Sequence, residues 1–185
     1  MKIRGLLYIA LLIICIVIRL LTWLPISNLS FQYDILLGSS LAELVFYGIL
    51  ADVLRIGKER IWITVIAWIT FIACVAEFIQ ALTGHRFFNT ESLLLDFKIL
   101  ALLKVALYLS ILFVRPGPLR ILFRWLAIIP VIPFILPHLS YPKHHVPALA
   151  VTVADTCITL LQYILLIDIV YRTPELQSAE GIDFP

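Results

Sequence analysis

From residue 61 to residue 83 the chain reads IWITVIAWITFIACVAEFIQALT, an apolar run whose single charged side chain is Glu77. As a helix, this run would be apolar over most of its surface, which suits a membrane span or the middle of a large core. About 20 such residues cross a hydrocarbon layer about 30 Å thick. The whole chain favours the membrane. Its 185 residues are 62% hydrophobic and 14% charged, with a mean hydropathy of +1.05. A globular domain is about 45–50% apolar and about 25% charged.

Hydropathy places six such runs, at 5–24, 35–54, 61–83, 93–114, 121–139 and 148–171. The expected fold is therefore all-α: one domain, a polytopic membrane bundle of six transmembrane helices. The first run resembles a signal peptide, but it is too long for an h-region and no small-x-small cleavage site follows it. It reads as a retained span. The fifth run carries Pro130, Pro133 and Pro137. Each removes a backbone donor, so this span either bends or only dips into the bilayer.

Charge tests the alternation. Threading six spans puts Lys2, Arg4, Arg55, Lys58, Arg60, Arg115, Arg120, Arg124 and Arg172 at one side, against Arg86 and Lys143 at the other. The positive-inside rule makes the rich side cytoplasmic, and both termini with it. Omitting one span would scramble the pattern. The net charge of +2 follows these loops and implies contact with anionic lipid, not nucleic acid. Cys15, Cys74 and Cys157 lie in apolar runs without a CxxC pair, and are expected to pack as small hydrophobes. No spacing implies a metal or a cofactor.

A charged side chain at a helix centre costs roughly 2.5–3.5 kcal/mol on insertion scales, and tends to face the interior and pair. At a rise of 1.5 Å per residue, Glu77 lies about 9 Å below the outer boundary, Asp155 about 12 Å, Glu43 about 13 Å and Lys104 about 18 Å. Polar residues recur with them at helical spacing: Ser39, Glu43 and Tyr47; Thr70, Cys74, Glu77 and Gln80; Thr152, Asp155, Thr159 and Gln162. Carboxylates at one depth repel, so Arg19, Arg86, Lys98 or Lys104 has to neutralise them, or one keeps its proton. Asp52 and Asp168 lie near the inner ends and are expected to reach water.

Two readings follow. In one, the stripes line an outward-facing polar site, with Glu77, Gln80 and Arg86 at its rim and Glu43, Asp155 and Lys104 deeper. Glu77 is then the proton acceptor if there is chemistry, and Arg86 meets an anionic headgroup. In the other, the charges are interhelical ties in a structural or assembly subunit. A small dimeric transporter is a third option, although no inverted repeat supports it. The expected partners are membrane lipids and a second copy or another membrane protein. No motif names a reaction.

The run Ala76-Glu77-Phe78-Ile79-Gln80, followed by Gly84-His85-Arg86, resembles the VanZ-like family of small bacterial membrane proteins. That family has a Glu-x-x-Gln pair at a helix end, an Arg in the next turn and then an Asp. Glu77, Gln80 and Arg86 match by position, while Asp96 comes later than the usual spacing and the following Asn and Gly are absent. In the family's earlier motif, Tyr47 and Leu50 keep the aromatic-x-x-Leu spacing, with Glu43 in place of a His and Ser39 in place of an Asp. The resemblance covers residues 39–96. It implies a multi-pass protein of the bacterial plasma membrane and cell envelope, in a family linked to glycopeptide resistance.

Overall fold

The structure, a computed structural model, describes residues 3–21, 29–83, 90–131 and 148–173. Every regular element among them is helical: α1 (Ile3–Leu21), α2 (Leu29–Ile56), α3 (Ile61–Thr83), α4 (Thr90–Ile111), α5 (Arg120–Ile128) with a 3₁₀ turn (Ile129–Val131), and α6 (Ala148–Arg172). Among the described residues, three stretches, Ile3–Leu21, Leu37–Ile56 and Ile61–Gln80, are long and apolar enough to cross a membrane.

The helices pack in a closed ring. α1 lies on α2, α2 on α3, α3 on α4, α4 on α5, α5 on α6, and α6 returns to α1. Leu12, Leu50, Leu54, Ile63, Leu107 and Leu166 are fully buried inside it. The outside is equally apolar, with Ile72 at 63%, Leu102 at 67% and Ile121 at 67% exposure. Such a surface suits hydrocarbon and would associate in water.

The ring gathers alternate helix ends. Arg4 of α1 bonds Asp52 of α2. The carboxylate of Glu59, just past α2, accepts the backbone N–H of Arg115, just past α4. Thr173, at the end of α6, lines a cavity with Val53, Val114 and Arg120. This shared end carries the basic residues that the sequence groups together.

Local chemistry sets the ends. At the close of α2 the N–H of Glu59 reaches the carbonyl of Leu54, and the N–H of Lys58 reaches that of Arg55. This pair of bonds is the Schellman motif, whose penultimate residue adopts the left-handed conformation. Lys58 occupies it, at φ 49°. The α-helical part of α5 stops at Ile128, two residues before Pro130. Proline has no N–H to continue the α-helical ladder, and the chain tightens into a 3₁₀ turn. Nine residues of α5 span only about 14 Å. The fifth expected span is thus a short α-helix that passes into a 3₁₀ turn at its first proline, and its remainder to residue 139 lies outside the described residues.

The α2–α3 seam depends on Gly48. A Cβ there would sit 3.0 Å from Phe71 Cε2 and 3.3 Å from Cδ2. Small residues allow this approach in membrane bundles. The Phe71 ring packs edge-on against Trp68, with centroids 5.5 Å apart, so any shift of the ring disturbs that contact as well. Gly48→Ala is expected to cost about 1–3 kcal/mol of stability, the usual range for overpacking. In a detergent unfolding assay, Phe71→Leu should recover part of that loss when combined with Gly48→Ala. Strict additivity of the two would show that the ring moves freely.

Candidate functional site

The carboxylate of Glu43 is the centre of the polar interior. Arg19 Nη2 donates to Oε1 at 2.9 Å, and Lys104 Nζ donates to Oε2 at 2.6 Å. Three helices therefore meet on one side chain. The periodicity of α2 explains the placement: Glu43 and Tyr47, four residues apart, share a face. Lys104 and Tyr108 do the same on α4. Lys104 Nζ lies 5.6 Å from the Tyr47 ring centroid, a cation–π distance.

Below this ion triad runs a hydrogen-bonded chain. The hydroxyls of Tyr47 and Tyr108 are 2.9 Å apart, and Gln162 Nε2 donates to Tyr108 at 2.9 Å. Tyr163 closes the α6 side, within electrostatic range of Arg19. Phe46 stands edge-on to both Tyr47 and Tyr163, at 5.2 and 5.0 Å. These aromatic rings belong to the same buried cluster as the leucines of the core.

Glu77 on α3 lies within electrostatic range of Lys104, Glu43 and Arg19. Arg19 and Lys104 outnumber Glu43 by one charge, and an ionised Glu77 would balance them. Both oxygens of Glu43 are held by cations, which leaves it poorly placed to take a proton. Glu77 makes no hydrogen bond among the described residues. The triad is open: the side chains of Arg19, Lys104 and Glu43 are 17%, 24% and 32% exposed.

Of the residues singled out from sequence, Glu43, Glu77 and Lys104 come together, joined by Arg19. Gln80 is half-buried near the end of α3. Arg86 and the side chain of Asp155 lie outside the described residues, as do the histidines and the side chains of Asp96 and Lys98. Tyr108 and Tyr163 were missed. Their signals were present in the spacing: Tyr108 follows Lys104 by four residues, and Tyr163 adjoins the polar stripe at Gln162.

Asp52 corrects the expectation that it reaches water. It is 6% exposed and bonded by Arg4 at 2.5 Å, by Arg55 at 2.7 Å and by the Tyr8 hydroxyl. Its position one turn from the helix end suggested solvent, but Arg4 and Tyr8 of α1 cover it. Asp168 does remain partly open, at 32% exposure, and pairs with Arg172. Among the cysteines, Cys15 and Cys74 are buried, while Cys157 is exposed.

No family model, no curated protein and no solved structure matches the chain. The likeness of residues 39–96 to VanZ-like proteins rests on the motif positions given above.

Proposed function

We propose that this is a six-span, cell-envelope membrane protein, its basic end cytoplasmic, that holds an anionic lipid or cell-wall-related headgroup. The site is the Arg19–Glu43–Lys104 centre, with Glu77, Gln80 and Arg86 toward its outer rim and Asp155 deeper. One observation carries this reading: two cations from different helices share a single carboxylate that stays about a third open. A phosphate or carboxylate entering there displaces Glu43 from one cation and keeps both paired. The VanZ-like motif positions support the bacterial plasma membrane as the setting.

Dodecyl phosphate, titrated into the protein in neutral detergent, is expected to raise the melting temperature. Lys104→Gln and Arg19→Gln should remove the rise. A rise that survives both substitutions would place binding elsewhere and sink the proposal. The second reading, a structural subunit tied by its interior charges, is favoured by the short contacts of the two ion pairs, 2.9 and 2.6 Å. It expects the same substitutions to lower stability while the wild type shows no response to dodecyl phosphate.

A further inference from the structure

A cleft of about 530 Å³ runs along the outer face of α3 from the basic end of the ring. Its mouth is formed by Arg55, Lys58 and Arg115, with Glu59 as the one carboxylate, and its floor includes Trp68, Ile69 and Ile72. The floor is open to the surroundings: Ile69 is 46% and Ile72 is 63% exposed. Cations at one end and an apolar floor extending into the bilayer match the two ends of a phospholipid.

The charges at the mouth are not all consumed by the fold. Arg55 uses Nη2 on Asp52, and Glu59 is occupied by the Arg115 backbone N–H. Among the described residues, neither Lys58 Nζ nor the Arg115 guanidinium has a hydrogen-bond or ion-pair partner. Three cations against one engaged carboxylate leave the mouth positive. Lys58 also stands in the left-handed conformation, where glycine would be relaxed. Gly57, the adjacent residue, does not occupy it.

We infer that the α3 cleft is a binding site for an anionic phospholipid, its phosphate between Lys58 and Arg115 and an acyl chain along Trp68, Ile69 and Ile72. The inference goes beyond the headgroup site at Glu43 and shares with it only the membrane setting and orientation. In that orientation the cleft faces the cytoplasmic leaflet, the leaflet rich in anionic lipid.

Trp68 makes the occupant visible. With Trp23, Trp62 and Trp125 replaced by Phe, its fluorescence in phosphatidylcholine vesicles reports on lipids brominated near the headgroup end of their chains. Brominated phosphatidylglycerol is expected to quench Trp68 at lower mole fraction than brominated phosphatidylcholine. Lys58→Gly relaxes the backbone, so that variant should fold at least as well, with a higher melting temperature. Combined with Arg115→Gln, it should reduce the preference for phosphatidylglycerol about thirtyfold, given the usual attraction of each of two basic residues near an anionic surface. Lys104→Gln should leave the preference unchanged, which separates this site from the Glu43 centre. On the unaltered chain, phosphatidylglycerol should stabilise against heat more than phosphatidylcholine does, and Lys58→Gly/Arg115→Gln should abolish the difference. Equal quenching by the two lipids would mean ordinary lipid contact and overturn the inference. Failure of either lipid to quench, with protection that grows with protein density, would mean that a second copy covers the cleft and would overturn it equally.

Discussion

Glu43→Leu is expected to destabilise the bundle by about 3–5 kcal/mol, the cost of breaking a buried ion pair from one side, and toward the lower value because the paired side chains are 17–32% exposed. The substitution leaves Arg19 and Lys104 facing each other without the carboxylate that each bonds, at 2.9 and 2.6 Å. Repulsion between the two then adds to the loss of both bonds. The measurement is equilibrium unfolding in mixed detergent micelles, read by helical circular dichroism. The double variant Glu43→Leu/Lys104→Leu removes one of the stranded cations as well. It should be more stable than the sum of its single changes by at least about 1 kcal/mol, because contacting charges are coupled. Additive effects, or a cost of Glu43→Leu below about 1 kcal/mol, would mean that the cations find water unaided. The Glu43 centre would then not be the organising feature of the interior.

Tyr108→Phe should be the next most damaging of these changes, at about 2–4 kcal/mol. Its hydroxyl is the middle link between Tyr47 and Gln162, and those partners are only 5% and 8% exposed. Removing it strands a buried hydroxyl and a buried amide together, each costing about 1–3 kcal/mol when left unpaired. Tyr47→Phe removes an end of the same chain. It strands less, since Gln162 still donates to Tyr108, and should cost about 1 kcal/mol. The ordering is the test. Equal melting temperatures for the two phenylalanine variants would show that water or another group replaces the lost hydroxyl.

The helices were legible because burial leaves a compositional trace. α3 runs from Ile61 to Thr83 as its hydropathy implied, since Arg60 and Gly84 bracket an unbroken apolar run. α2 begins at Leu29 instead of residue 35. Ser30, Gln32 and Asp34 read as loop because hydropathy reports which solvent a side chain prefers, not whether its backbone is helical. At the site, Glu43, Glu77 and Lys104 stood out because a charge in an apolar run is costly and needs a reason. Tyrosine raises no such alarm, being at home in cores and at interfaces alike, so Tyr108 and Tyr163 passed unnoticed. Pairing was the part least legible. Depth along a helix follows from counting residues, but rotation about its axis depends on the neighbours. Counting could not show that Arg4 and Tyr8 would close over Asp52, or that Lys104 and not another cation would reach Glu43.

The closed ring also fixes a sequence of events during synthesis. Arg19, in the last turn of α1, leaves the ribosome first and Glu43 soon after, so the first two helices can pair with these two charges already cancelled. Lys104 follows much later and meets a carboxylate with one oxygen still available. The last seam, between α6 and α1, joins the newest part of the chain to the oldest. Until α6 arrives, the flank of α1 that it covers has no helix against it, and the polar chain from Tyr47 through Tyr108 lacks its Gln162 terminus. The finished interior is thus withheld until the final helix is made.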